Sequence, residues 1–370
     1  MRNILSAILF LLIAVVTQAQ QNYFLLVGTY TNNNASQGIY TYGFNTKDGS
    51  ARLIDSTNNI ANPSYLTPSF NHNFIYSVNE NGRDNKGAVS AFSFNQKTGH
   101  LTFLNQQPTD GDAPCFITID STGRNVITAN YNGSNFSVFK TEKEGKLTPH
   151  IQLIAHTGSG INKSRQEKAH VHQTFLSPDE HFLFVNDLGN DTVYQYPFSA
   201  LKKFPVDTVH VMKYKVPDGL GPRHFVFSPN KRFAYLITEM GGEIIAYKYG
   251  RQLKQLQIIS CTGAPDKGSA AIRISPDGRF LYASNRGAAN DIAIFHIAQN
   301  GTLTKVMNQP IGRHPRDFMI DPAGKFLLVA NRDDNDIVVF RINKATGLLE
   351  NTNQKINLPA PVALLMIEKR

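Results

Sequence analysis

The chain has 370 residues, with Lys and Arg totalling 37 against 28 Asp and Glu, a formal net charge of +9 with His neutral. The basic residues are scattered and adjacent pairs such as Lys202-Lys203 are short, so no stripe forms that would argue for a nucleic-acid partner. Two cysteines, Cys115 and Cys261, cannot build a disulfide framework or a thiolate metal site, and both are expected to pack as small apolar residues.

At the start, Arg2 leads into an apolar stretch from Ile4 to Val16 and then Thr17-Gln18-Ala19, the pattern of a secretory signal peptide over residues 1–19. A membrane span needs roughly 20 apolar residues, and polar Thr17 and Gln18 stop the run short. The mature chain, residues 20–370, is therefore expected to be exported to the periplasm or beyond, with no membrane span.

From there one pattern recurs. Asn62-Pro63-Ser64-Tyr65-Leu66 precedes Phe74 to Glu80, and Ala113-Pro114-Cys115-Phe116-Ile117 precedes Val126 to Tyr131. The same arrangement returns at His170–Gly189, Gly221–Met240, Ser269–Gly287 and His314–Asp333, with starts 45 to 57 residues apart. That period fits four short strands per unit. Within each unit two apolar runs flank a turn, plainest at Ser275-Pro276-Asp277-Gly278, and a second bend follows, as at Gly301-Thr302-Leu303. Two hairpins make a four-stranded antiparallel blade.

The ends complement each other. Ala360 to Met366 begins a unit and stops after one strand, whereas Asn22 to Tyr30 looks like a second strand lacking its first. One blade shared by both termini would close an all-β, seven-bladed β-propeller and remove its open sheet edges. The stretch from Phe198 to Phe204 is the one irregular place in the pattern.

Because the Ser-Pro-Asp-Gly turns lie at one end of the first hairpins, the opposite strand ends should ring one mouth of the channel. The side chains expected there are Asn79, Glu80, Asn130, Tyr131, His170, His172, Asp187, Arg223, His224, Glu239, Arg286, Arg316 and Arg332. So many ionisable groups near the axis make a default binding site.

Across the mature chain the sequence resembles the lactonase family of seven-bladed propellers, which includes bacterial 6-phosphogluconolactonases and fungal carboxy-muconate cyclases. The resemblance is carried by Val27-Gly28-Thr29-Tyr30-Thr31, His156-Thr157-Gly158-Ser159-Gly160, Arg165-Gln166, His170-Val171-His172, Asp187-Leu188-Gly189, Gly221-Pro222-Arg223-His224 and Ser275 to Gly287. It implies a catalytic group of His172, Arg223, Glu239 and Arg286, acting on a small lactone. His170, two residues from His172, would face the same side of a regular strand. With Asn79, Glu80, Asn130, Asp187, Arg316 and Arg332 it forms the expected substrate-binding set. The chain departs from the family at Ala271, where an acidic residue is common, which bears on substrate choice.

These residue types suit hydrolysis of an anionic, sugar-derived lactone. One of Arg223 and Arg286 could stabilise the oxyanion formed when water attacks, and the other could hold a phosphate or carboxylate. An arginine beside Glu239 would weaken it as a base, which favours His172 for proton transfer. Neither metal nor cofactor is expected. Glu80, Asn130 and Asp187 could in principle ligate calcium, but the neighbouring arginines would repel it. Gly158–Gly160 lacks the lysine and strand-to-helix setting of a phosphate loop and reads as a loop over the channel. A muconate-type lactone cycloisomerase, or a non-catalytic propeller binding a periplasmic carbohydrate or protein, remains as an alternative reading.

Overall fold

A strand buried on both faces needs a sheet on each side. Phe233–Thr238, Phe280–Asn285 and Phe326–Asn331, each the second strand of its unit, are buried at every position. The computed structural model describes residues 22–32, 36–82, 87–265 and 267–370, so the signal-peptide reading over residues 1–19 lies outside the described residues. Among the described residues, seven four-stranded antiparallel sheets meet this packing demand. Their first strands contact one another in a closed circle, which makes the sheets the blades of one propeller.

Blade one begins with Leu66–Pro68 and Phe74–Asn79, blade two with Pro114–Ile119 and Asn125–Asn130, and blade three with Val171–Leu176 and Phe182–Asp187. Blade four begins with Pro222–Phe227 and Phe233–Thr238, blade five with Ser269–Ile274 and Phe280–Asn285, and blade six with Pro315–Ile320 and Phe326–Asn331. In blade seven the C-terminal strand Pro361–Glu368 pairs antiparallel with the N-terminal strand Asn22–Thr29, so the two ends of the chain close the ring as the sequence suggested.

Alternation divides each buried strand between two neighbours. Phe326, Leu328 and Ala330 pack toward blade seven with Leu25, Val27 and Phe44, while Leu327 and Val329 pack toward blade five with Tyr282 and Ile294. The bends between third and fourth strands pin adjacent blades. Gly301 has φ +86, and a Cβ there would lie 2.2 Å from the Phe233 ring of the preceding blade, so only glycine fits. The Tyr235 hydroxyl also donates to the Gly301 carbonyl at 3.0 Å. Blade three departs from this plan at the place the sequence marked: Phe198 and Val206 form an isolated bridge, and its outer strand, Met212–Lys215, has four residues.

Candidate functional site

The backbone builds the site by one repeated device. In every blade, the residue just past the second strand donates its N–H to a carbonyl ahead of the first, one residue ahead in six blades and at Asn62, four ahead of Leu66, in blade one. These residues are Tyr30, Glu80, Tyr131, Leu188, Glu239, Arg286 and Arg332, and they form one ring at the strand ends opposite the Ser-Pro-Asp-Gly turns. A second ring comes from register. The ladder between first and second strands skips Cys115, His172, Arg223, Arg316 and Val362 in blades two, three, four, six and seven. Such a bulge re-aims the side chain of the extra residue, and in three of these blades that residue is a histidine or an arginine that joins the site.

The two rings meet on Glu239. Its Oε2 lies 2.9 Å from Arg223 Nε, 3.1 Å from Arg286 Nη2 and 3.8 Å from His172 Nε2. Its Oε1 accepts from Arg165 Nη2 at 2.6 Å. Burial disfavours the charged carboxylate, but Arg286, Arg223, His172 and Arg165 together outweigh it and hold the Glu239 carboxyl well below the usual range. Burial, followed by the Arg223 charge, keeps His172 well below the usual histidine range, so its imidazole is neutral at neutral pH. Arg223 has its guanidinium pushed down to about 10 by burial and by Arg286, and remains charged.

Beside this cluster Glu80 accepts from the Tyr30 hydroxyl at 3.0 Å and from Arg316 at 2.9 Å, with Arg316 lying over the Tyr30 ring. A cavity of about 790 Å³ opens above, lined in part by Tyr30, Glu80, Asn132 and Arg332. Below, the channel is filled. Tyr65, Phe116 and His224 pack ring against ring, with Tyr65 and Phe116 centroids 4.1 Å apart. Nearer the turns an Arg273–Asp317 pair at 2.9 Å closes the channel further. Among the described residues this packing fills the channel on the turn side of the cluster, while the cavity lies on the side of Tyr30 and Glu80.

Several expected contacts go elsewhere, and strand alternation explains most of them. Asn79, Asn130 and Asp187 end their strands, one residue before the ring that faces the channel, so their side chains turn into their own blades. Asn79 bonds the Ala61 carbonyl and Ser90, and Asn130 bonds Asn135 and Ser137. Asp187 accepts from His156 at 2.9 Å and from the backbone N–H groups of His170 and Gly189. Glu80, Asn130 and Asp187 therefore do not converge as cation ligands, and among the described residues no three His, Cys, Asp or Glu side chains do. His170 does not share the orientation of His172, because the bulge between them breaks the alternation. It stacks on Tyr131 and bonds the Tyr131 carbonyl and Glu167. Arg332 sits at the cavity rim, 2.6 Å from Asp333.

The family model "Lactonase, 7-bladed beta-propeller" matches residues 24–366. The chain belongs to this lactonase family. A 6-phosphogluconolactonase of Formosa agariphila is 37% identical over 92% of this chain and 99% of its own, and one of Bacillus subtilis is 33% identical over 94% and 99%. The solved periplasmic gluconolactonase of Pseudomonas aeruginosa superposes with a TM-score of 0.88 at 32% identity, covering 94% of this chain and all of its own.

The four positions that the lactonase resemblance carried over, His172, Arg223, Glu239 and Arg286, thus share one carboxylate. Sequence reasoning missed Arg165. It stands in the quoted Arg165-Gln166 pair, but only the folded loop shows that fully buried Gln166 anchors the segment so that Arg165 reaches Glu239. Cys115 is buried as expected, yet it lies in the lactonase channel with Sγ 3.3 Å from the His172 carbonyl, and burial pushes its thiol up, so it is un-ionised. Ala271 is buried in the apolar layer between blades five and six, where an acidic side chain would be costly.

Proposed function

We propose that this lactonase hydrolyses a small sugar-derived lactone in the cavity above Glu239. The observation that carries the reading is a buried carboxylate held by three arginines beside a neutral histidine. Water attacks the lactone carbonyl carbon, and the proton it loses passes to His172. The Nδ1 side of that ring lies against Cys115, leaving Nε2 toward the Glu239 end of the site to accept it. Arg286, with one Nη free of the Glu239 contact, faces the developing oxyanion. Arg223 is spent on Glu239 and the Ala270 carbonyl, so its part is to fix Glu239 and add positive potential. Collapse of the intermediate breaks the ring C–O bond, and the alkoxide takes back the proton to give a hydroxy acid. Glu239 thereby orients two arginines and stabilises the imidazolium formed on His172.

The names of the relatives support sugar lactones as the substrate class. Residues 1–19, with the periplasmic Pseudomonas relative, support work outside the cytoplasm. The reading needs neither metal nor cofactor. The test is a panel of lactones, 6-phosphogluconolactone and glucono-1,5-lactone among them, followed by acid release with and without a chelator. Hydrolysis that survives chelation and vanishes in Arg223→Ala and Arg286→Ala supports it. Near-full activity in His172→Ala together with loss in Glu239→Gln would make Glu239 the base instead.

A further inference from the structure

We propose that Arg165 recognises an anionic substituent on the lactone, swinging from Glu239 to the ligand when it binds; the inference rests on the lactone-hydrolase reading above. Charge count comes first. Among the described residues, Arg165, Arg223, Arg286 and Arg316 form ion pairs with two carboxylates, Glu239 and Glu80, two positive charges more than the acids they meet. The imidazoles beside them, His172 and His224, are both held neutral by burial and by Arg223. Three of these arginines are largely buried, and an excess of cations there is costly unless an anion completes it.

Mobility then separates the four. The Arg223 side chain is 2% exposed and committed at both ends. Arg316 is clamped between Glu80 and the Tyr30 ring, and Arg286 donates through Nε to the Gly268 carbonyl at 2.8 Å. Arg165 is 45% exposed, and its contacts, to Glu239 at 2.6 Å and the Tyr131 hydroxyl at 3.3 Å, both run through Nη2. Guanidinium has five donors in a planar fork that matches phosphate or carboxylate. When Arg165 leaves, Glu239 keeps Arg223 and Arg286 on Oε2, so its charge stays paired.

The loop holds the base of this side chain still. Gln166 bonds the Leu188 carbonyl at 2.8 Å and closes back on Asn162 through both its amide N–H and its side chain. Gly160 packs on the Gln166 amide, where a Cβ would come within 2.3 Å. Only the side chain has to move, which suits recognition of a substituent that one lactone carries and another lacks.

The experiment compares 6-phosphogluconolactone, a lactone bearing a carboxylate at the same carbon, and neutral glucono-1,5-lactone on wild type, Arg165→Ala and Arg165→Lys. A charge-assisted hydrogen bond is worth about 1.5–3 kcal/mol, or roughly ten- to a hundredfold. The kcat/KM ratio of anionic to neutral lactone should therefore fall by about tenfold or more in Arg165→Ala, carried by KM, with substantial recovery in Arg165→Lys. The anionic lactone with the larger loss identifies the group read. A ratio unchanged in Arg165→Ala overturns the proposal. Wild type inactive on all three lactones sinks the hydrolase reading instead, and calorimetry with 6-phosphogluconate and gluconate then decides the role of Arg165. Selective weakening of the phosphorylated acid in Arg165→Ala supports it, and equal affinity in both proteins removes it.

Discussion

Two buried carboxylates occupy the same channel, and their surroundings differ in one respect. Asp317 has one cation, Arg273 at 2.9 Å, and a backbone donor, Leu364 N at 3.1 Å, which ties blades five, six and seven together. Burial is the larger influence there and pushes the Asp317 carboxyl above its ordinary range, with Arg273 opposing. Glu239 is also buried, yet three arginines reverse the balance and hold it well below. A one-to-one pair satisfies itself and serves the scaffold. On the reading proposed above, the overcharged cluster is where an anion binds, which distinguishes it from a structural ion pair of the same chemistry.

The strongest way to break this distinction is to neutralise each carboxylate. Glu239→Gln removes the anchor of three guanidiniums and the counter-charge for an imidazolium, so kcat/KM should drop by about 10²–10⁴, the range of a lost general-base or oxyanion partner. Asp317→Asn should act on stability alone. Asn keeps an oxygen for Leu364 N and removes a charge that burial already opposes, so the change in stability should be small. Denaturant melts and per-molecule turnover separate the two, and equal activity losses in both variants would erase the distinction.

Acid provides the next largest effect, with opposite signs at the two places. Glu239, its acidity increased by the arginines, contributes stability above the ordinary carboxylate range that is lost as pH falls through its folded value. Asp317, raised by burial, contributes the reverse: its ionisation costs stability, and acid relieves that cost. Acid unfolding should therefore be blunted in Glu239→Gln and not in Asp317→Asn. On the proposed mechanism turnover follows His172, which must be neutral to take a proton. Its depressed pKa puts the acidic limb of the rate profile below pH 6.5. Arg316 is one of the cations lowering it, so Arg316→Ala should shift that limb to higher pH. A limb unmoved by loss of Arg316 would mean that His172 does not set it.

Period and turn chemistry were enough to read seven blades and the shared terminal blade, because Ser-Pro-Asp-Gly and the alternating runs are local signals. His172, Arg223, Glu239 and Arg286 were legible as a group through the family pattern and their place at strand ends. What sequence could not show was register. A bulge adds one residue to a strand without changing its composition, so nothing in His170-Val171-His172 reveals that the first histidine stacks on Tyr131 while the second meets that ring edge-on and reaches Glu239. The same one-residue step sends Asn130 into its blade and Tyr131 out of it. Arg165 was hidden for another reason: it reaches Glu239 across 74 residues from a loop with no strand periodicity to place it.

The smallest expected effect lies at the rim, where the overcharged cluster shades into ordinary surface. Arg332 lines the cavity but spends its Nε on Asp333 at 2.6 Å, with both side chains a third or more exposed. Exposed pairs of this kind are worth about 0.2–1 kcal/mol and are screened beyond about 10 Å at 0.1 M salt. Arg332→Ala should thus lower kcat/KM for an anionic lactone by about two- to threefold in dilute buffer, through weaker steering of the approaching charge. Raising the salt to about 0.5 M should bring mutant and wild type together, because screening removes the long-range contribution that the mutation removes. Arg165, in direct contact with the bound anion, should keep most of its effect at that salt. A salt-insensitive, tenfold loss at Arg332 would move the boundary outward and place this residue against the substrate as well.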